Sequence, residues 1–367
     1  MRKTYIDNIR WITVLIVFLF HVIYMFNSIS YEVVVGPFSE VQYQDGLIYL
    51  VYPWFMVLLF VVSGMSARYY LNSHTDKEFR KTRTTKLLVP STIGLLVFWW
   101  IMGYFNMKVS GAFEDAGITS LPLVIRYLIM ALSGTGVLWY VQMLWIFSIV
   151  LTLVRKIEKD RLYNIAGKTN IAVLLALTIP VWGASRILNL PIVTYRFGIY
   201  TLVFFIGYFI FSHDEVMDRL EKCWLPLSIA AVALAITFTK AFWMKPFAEH
   251  ETLDTFLCNL FAWIATLAIL AFMKKWGDRS NGFTRWMAKE SWGLYLFHYM
   301  TLVIPAYYIT TYVKEMPPVA VYLICAVISF AGAIALSHLI SKIPFLRWAV
   351  KGEKKNVQRQ SHSAEKA

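Results

Sequence analysis

The chain has 367 residues, of which 58% are hydrophobic and only 16% are charged, against about a quarter charged in a typical soluble domain. Its apolar residues occur in runs of eighteen or more, the length that crosses a bilayer, so the composition excludes one large soluble core. The net charge of +13 lies in loops and not on a soluble domain, which excludes nucleic acid as a partner. The three cysteines match no disulfide or zinc spacing, so we expect no bound metal.

The hydropathy pattern predicts an all-α fold, a polytopic membrane helical bundle of about ten transmembrane helices. The fifth and sixth of these are short and interrupted by proline. The predicted spans are 10–28, 47–71, 87–107, 136–154, 171–187, 197–212, 224–243, 255–273, 291–312 and 319–341. We assign residues 1–345 to the membrane domain and residues 346–367 to a charged, disordered cytoplasmic tail.

Loop charge orients the predicted bundle. With the N-terminus inside, most of the 35 lysines and arginines fall in cytoplasmic loops, so both termini are predicted to be cytoplasmic. Two outer loops are long enough to hold an external ligand. The first, 29–46, is acidic through Glu32, Glu40 and Asp45, and the second, 108–135, contains an apolar run that suits a surface or re-entrant helix.

An arginine and a histidine interrupt the first apolar segment. Arg10 and His21 are eleven residues apart, so on an α-helix they share one face and lie roughly 16 Å apart along the axis. Ionisable groups inside a membrane are costly and usually functional. Arg10 could instead snorkel to the interface, and His21 could be satisfied by a neighbouring hydroxyl. The functional interpretation of His21 is a general base, because imidazole takes up a proton near neutral pH.

The inner loop after the second span is a candidate phosphate site. Arg80 and Arg83 are three residues apart and face the same way on a helical turn, and Lys86 follows them. Guanidinium groups bind phosphate in a bidentate manner. The same charges have a plainer explanation as a signal that sets membrane topology.

Three further segments supply supporting residues. Ser63 and Gly64 are small and permit close packing of helices, which is their more ordinary role. Trp139 and Tyr140 open the fourth span at its outer end, where aromatic side chains anchor a helix at the membrane surface. His298, in the ninth span, is a second intramembrane histidine. The sequence contains no nucleophile elbow and no Walker loop.

Taken in chain order, these motifs resemble the integral-membrane acyltransferase type three family, as far as about Pro344. The matching motifs are Asp7-x-x-Arg10 followed by His21, Phe60-Val61-Val62-Ser63-Gly64, Arg80-x-x-Arg83 ahead of Leu87-Leu88-Val89-Pro90, Leu138-Trp139-Tyr140, and Ser291 to His298. Each motif alone is weak, whereas the ordered set is specific. The segments Tyr5–Arg10 and Phe20-His21 are most similar to the branch of glucan succinyltransferases.

The resemblance implies a multi-pass enzyme of the cell membrane that carries out O-acetylation or a related modification of polysaccharide. An acetyl or succinyl group would move from cytoplasmic acyl-CoA, a substrate and not a bound cofactor, to a hydroxyl of an envelope glycan. The resemblance implies that His21 is the catalytic residue, and that Arg10, Arg80 and Arg83 lie near the donor. Arg10, or a backbone amide, could stabilise the charge that develops in the transition state, which makes Arg10 a second catalytic candidate. Asp7 could hold Arg10 by a charge-assisted bond.

A transporter is the alternative from another functional class. Intramembrane arginine and histidine also mark the paths of transported substrates. The two halves of the chain show no repeat of the kind on which many transporters are built. The basic inner loop also suits a CoA donor better than a transported solute.

Overall fold

The computed structural model describes residues 3–30, 34–313 and 315–354, and within them all regular secondary structure is helical. The helices are α1 (Thr4–Tyr24), α2 (Gly46–Leu71), α3 (Asp76–Val109), α4 (Ala116–Thr119), α5 (Leu123–Ser133), α6 (Leu138–Glu158), α7 (Arg161–Ala166), α8 (Ile171–Ser185), α9 (Phe197–Phe211), α10 (Asp214–Glu221), α11 (Trp224–Phe242), α12 (His250–Leu253), α13 (Phe256–Trp276), α14 (Gly282–Tyr312), α15 (Pro318–Lys342) and α16 (Pro344–Lys351). The predicted all-α class is confirmed.

Seven helices of the described chain are long and apolar enough to cross a membrane, namely α1, α2, α3, α6, α11, α13 and α15. They coincide with seven of the predicted spans. The pair α9 and α10, bent by 96° at the break between them, would make an eighth. The predicted fifth span falls on α8, an apolar helix that is shorter than these seven. The predicted ninth span falls on α14, which has 31 residues. The total of ten spans remains a prediction.

The first helix begins six residues earlier and ends four residues earlier than the predicted span. Tyr5, Ile6 and Ile9 are buried, and the Asn8 amide donates to the carbonyl oxygens of Gly277 and Arg279, so the polar start of α1 is packed inside the protein. The segment that follows Tyr24 leaves the helix but stays in the protein interior. The sequence predicted neither boundary because both depend on contacts with distant residues.

Helix α2 is the centre of the bundle. It is hydrophobic all round, as expected for a helix surrounded by protein, and 72% of its most apolar window is buried, against 11% for α11 and 22% for α15. It packs against α1, α9, α11 and α13. Helices α11 and α15 therefore present the broad apolar faces that a bilayer would cover.

Two glycines bring the backbones of α2 and α9 together. A Cβ atom at Gly64 would collide with the carbonyl oxygen of Phe204, and one at Gly207 would collide with that of Val61. Small residues permit such a close approach between membrane helices. The packing role predicted for the Ser63-Gly64 segment is therefore seen at Gly64.

A helix, α16, occupies the first part of the segment where the sequence predicted a tail. Helix α16 packs onto α3, where a Cβ at Gly94 would meet the carbonyl oxygen of Ala349, and Ala349 and Val350 are fully buried. These apolar contacts explain why residues 346–351 are helical. The remainder of the predicted tail, from residue 355, lies outside the described residues.

The contact between α2 and α9 leads to a prediction about stability. Gly64→Ala should lower the free energy of unfolding by about 1–3 kcal/mol, the usual cost of overpacking, because the new methyl group meets backbone that cannot rotate away. The measurement is thermal unfolding of the purified protein in detergent. Gly183→Ala is the control, since no atom lies within 4 Å of its added Cβ. Equal unfolding temperatures for the two variants would contradict the packing role of Gly64.

Candidate active site

Helix α1 presents Arg10 and His21 to the interior of the protein. Leu19, the most exposed residue of the helix at 44%, lies nearly opposite both of them at 100° per residue. His21 is nevertheless only half-buried, and the Arg10 side chain is 39% exposed. The exposed part of each side chain therefore lies on the side of α1 that faces α2 and α14, and not on the lipid-facing side. We call this strip between the helices, from Arg10 to His21, the groove.

His21 contacts a second histidine. Its Nδ1 atom lies 2.8 Å from the carbonyl oxygen of Val17 and 3.1 Å from Nε2 of His298, which is fully buried in the middle of α14. The ring also meets the edges of the Phe20 and Tyr299 rings, with centroids 5.0 and 5.1 Å apart. The structure thus brings together the two intramembrane histidines that the sequence had placed in separate motifs.

Buried polar side chains hold the chain segment that follows the C-terminal end of α1. Asn27, in the segment after α1, and Gln42 and Asp45 near α2 are at most 2% exposed. The Asp45 carboxylate accepts hydrogen bonds from the backbone N–H of Ser28 at 2.9 Å and from its hydroxyl at 2.8 Å, and the Gln42 amide donates to the carbonyl oxygen of Phe26. Irregular backbone inside a membrane needs such partners.

These buried hydrogen bonds change the interpretation of the first outer loop. Its acidic residues were expected to be available to an external ligand, but Asp45 is fully buried and supports the backbone over His21. Glu40 is exposed, and Glu32 lies outside the described residues. Sequence reasoning missed Asn27 and Gln42, although polar residues just after an apolar helix are a signal for a capped, folded turn.

At the inner end of the groove, three cations converge. Arg10 pairs with Asp7 at 3.2 Å and donates to the Ser66 hydroxyl of α2. Arg83 and Lys86 of α3 lie close enough to Arg10 for the three charges to repel one another. Asp7 therefore holds Arg10, as expected, and the cluster has the charge that an anionic ligand requires.

A wide helical turn places Lys86 in this cluster. A π-helical segment, Thr84–Leu88, follows Arg83 directly. The ammonium of Lys86, within this segment, lies 5.3 Å from the centre of the Trp292 ring on α14. Turns of this kind often occur at functional sites. Arg80 is half-buried on the same helix, but no described side chain pairs with it. The structure thus joins Arg83 and Lys86 to Arg10 and leaves Arg80 apart.

Aromatic residues of α14 connect the cations to the histidine pair. Trp292 stacks on Tyr295, with planes 17° apart, and Tyr295 lies next to His298 with ring centroids 6.3 Å apart. Tyr295 donates to the carbonyl oxygen of Val137. The three-residue spacing of these rings aligns them on one face of α14. Sequence reasoning noted this segment as a motif but gave no role to Trp292 or Tyr295.

Trp139 and Tyr140, the aromatic pair at the start of α6, contact different helices. Tyr140 is 7% exposed, and its hydroxyl lies 2.8 Å from that of Ser63 on α2. Trp139 packs against Tyr200 of α9, with ring centroids 5.7 Å apart. The expectation that Tyr140 anchors the helix at the membrane surface is wrong, because its hydroxyl finds a partner inside the bundle. Ser63 and Tyr140 thus form one contact.

The separation of Arg10 from His21 limits what Arg10 can do. They lie three turns apart on a continuous helix, roughly 16 Å along its axis. A stabiliser of developing charge must lie within about 3 Å of the reacting oxygen. This geometry does not support a role for Arg10 in stabilising charge beside His21. It is compatible with contact between Arg10 and a distant anionic part of the same ligand.

Comparison with known proteins gives the chain a family. The sequence model of an acyltransferase domain, the third type of that name, matches residues 3–338 and so includes α1 to α14 and most of α15. No curated protein matches the chain, and no solved structure does. The matched range contains the histidine pair and the three converging cations. The chain therefore belongs to this family of membrane acyltransferases.

Proposed function

We propose that the protein is an O-acyltransferase that takes an acetyl or succinyl group from acyl-CoA and transfers it to a hydroxyl of an envelope glycan. The observation that carries this proposal is the arrangement on α1, which has a phosphate-type cation cluster at one end of an interior groove and a histidine at the other. His21 is the general base. The opening segment that resembles glucan succinyltransferases favours a succinyl donor, and acetyl is the alternative.

Arg10, Arg83 and Lys86 form the proposed site for the donor phosphates. Coenzyme A carries a diphosphate and a further phosphate, and arginine forks bind such groups through two parallel hydrogen bonds. Asp7 beside Arg10 and Glu353 near Lys86 offset part of the positive charge, and Tyr140 lies near Arg10 and Arg83. An anion that enters the cluster therefore relieves the mutual repulsion of three cations.

The length of the donor arm matches the length of the groove. About thirteen bonds separate the diphosphate of acyl-CoA from its sulfur, which is the backbone of a little over four extended residues and spans roughly 16 Å. Arg10 and His21 are also roughly 16 Å apart along α1. A donor held at the cation cluster can therefore present its thioester to His21 without movement of the helices.

The chemistry requires one proton acceptor at the thioester. His21 takes the proton from the acceptor hydroxyl while the oxygen attacks the thioester carbonyl. The carbon–sulfur bond then breaks, and the thiolate receives the proton from the imidazolium, so His21 returns to its starting state. A transporter of glycan-linked solutes requires no such pair of sites, and membership of an acyltransferase family removes the main reason to consider one.

The proposal places the donor end of the groove in the cytoplasm, because acyl-CoA is made there. Both termini are then cytoplasmic, as the loop charges predict, and the bundle of about ten spans lies in the cell membrane with membrane lipid around it. The glycan hydroxyl reaches His21 from the opposite side, where Tyr24, Tyr52 and Phe247 form an aromatic cluster next to Phe20.

The first functional prediction concerns His21. His21→Ala should reduce acyl transfer by ~10²-fold or more, the scale of a general base. The measurement is release of free thiol from acetyl-CoA and succinyl-CoA, together with mass spectrometry of the acylated glycan. His338→Ala, at a 55% exposed histidine of α15, is the control and should transfer normally. Normal transfer by well-inserted His21→Ala protein would leave His21 a packing role only.

The second functional prediction separates phosphate binding from loop charge. Arg83→Lys keeps the charge but loses the guanidinium fork, so the KM for acyl-CoA should rise by roughly tenfold, equivalent to about 1.4 kcal/mol. The maximal rate should fall much less, because this contact is equal in the ground and transition states. Arg80→Lys is the matched control on the same helix and should change KM less.

An unchanged donor KM in Arg83→Lys protein would mean that the charges of this loop serve only to set membrane topology. We propose a second candidate place for the nucleotide. A cavity of about 420 Å³ beside the start of α1 is lined by Asp7, Asn8, Arg285 and Lys289, among others. A rise of KM in Arg285→Lys but not in Arg83→Lys would move the phosphate site there.

The third functional prediction tests the orientation. In protein whose half-buried Cys223 is replaced by alanine, a cysteine at Ser39 should react with an impermeant thiol reagent in intact cells. A cysteine at the exposed Ser73, between α2 and α3, should react only after the cells are opened. The reverse labelling pattern would place the cation cluster outside and would overturn the assignment of the donor side.

A further inference from the structure

The contacts of the two histidines determine where their protons lie. His298 Nδ1 is 2.9 Å from the carbonyl oxygens of both Leu294 and Tyr295, and His21 Nδ1 is 2.8 Å from that of Val17. A carbonyl oxygen only accepts hydrogen bonds. Each Nδ1 atom therefore carries a hydrogen.

The contact between the rings then has one solution. His298 Nε2 and His21 Nδ1 are 3.1 Å apart, and a hydrogen bond at that distance contains one hydrogen. His21 Nδ1 already carries it, so His298 Nε2 accepts through its lone pair. His298 is thus a neutral ring with its hydrogen on Nδ1. In the neutral His21 ring, Nε2 is then the nitrogen with the free lone pair.

From this arrangement we propose that His298 is a positioning residue: it accepts from His21 Nδ1–H alongside the Val17 carbonyl, holds the ring in place and so presents the lone pair of Nε2 to the acceptor hydroxyl. This inference rests on the proposed function for its chemical meaning, but the tautomer itself does not. When Nε2 takes the hydroxyl proton, the Nδ1–H of the imidazolium is held by two acceptors, the Val17 carbonyl and His298. His298 gains and loses no proton in the cycle, because the thiolate takes the proton back from Nε2.

The surroundings of His298 fix its ring. It is fully buried, its two carbonyl acceptors belong to its own helix, and the edge of the Phe18 ring packs against it with centroids 6.3 Å apart. Its backbone carbonyl accepts a hydrogen bond of 2.7 Å from the Ser329 hydroxyl of α15. The orientation of His298 is therefore set by three helices, which is what a group that orients a catalytic base requires.

A pair of substitutions tests the role of His298. His298→Leu removes one of the two acceptors of His21 Nδ1–H and frees the ring to turn, so it should lower kcat by about 10²-fold or more while the KM for acyl-CoA stays within about twofold. His298→Gln keeps an oxygen acceptor at similar reach and should retain at least about a tenth of the rate. His338→Gln, at a 55% exposed histidine of α15, is the control and should not change the rate.

The tautomer has a readout that does not depend on activity. In ¹⁵N-histidine-labelled protein, His21 is assigned by its loss in His21→Gln. Nδ1 should give the resonance of a protonated nitrogen and Nε2 that of an unprotonated one, and the Nδ1 resonance should shift in His298→Leu, where Nδ1–H keeps only the Val17 acceptor. A His21 ring protonated at Nε2 in the wild-type protein would overturn the proposal, as would an unchanged kcat in His298→Leu.

The two proposals can fail separately. If no acyl-CoA supports transfer by the wild-type protein, the proposed function fails, while the resonance of His21 Nε2 still decides the tautomer. If His298→Leu does not fold, His298→Asn replaces it, since its shorter amide cannot reach His21. Equal rates for His298→Gln and His298→Asn would then overturn the positioning role.

Discussion

The cost of polar groups inside a membrane is the constraint on which this structure depends. An arginine or a histidine in hydrocarbon costs several kcal/mol unless it faces protein or water. Helix α1 meets this constraint by turning Leu19 outward and Arg10 and His21 inward. The same rotation requires partners across the bundle, and α2 and α14 supply them through Ser66 and His298. The groove follows from the need to satisfy two side chains.

A groove of this kind needs rigid walls. Helix α2 forms one wall and is locked to α9 by backbone contacts at Gly64 and Gly207, where no side chain fits. Helix α14 forms the other, and its aromatic residues run from the cation cluster to His298. The segment after α1 lies at the outer end and is held in place by the hydrogen bonds of Asp45. Since these elements are far apart in sequence, each contributes one surface of the site.

The sequence predicted the parts of this site that are local. The shared face of Arg10 and His21 follows from helical periodicity, and the charge of the Arg83–Lys86 segment is visible without a structure. It could not predict which distant groups meet. The contact of His21 with His298, the inward turn of Tyr140 and the burial of Asp45 all depend on the packing of α1, α2, α6 and α14. The helix at residues 344–351 was missed because its apolar face, Ala349 and Val350, is too short to register as a hydrophobic segment.

The proposed base, His21, and Arg10 lie on one helix, which has a consequence for how transfer is coupled across the membrane. Under the proposed function, a donor bound at Arg10 is held on one side of the membrane, and its thioester lies three turns away, next to a histidine that an acceptor approaches from the other side. The acyl group then crosses most of the bundle on its own carrier arm and needs no separate transport step. The length of α1 between the two residues thus sets the distance that the acyl group must travel, and the donor arm is long enough to cover it.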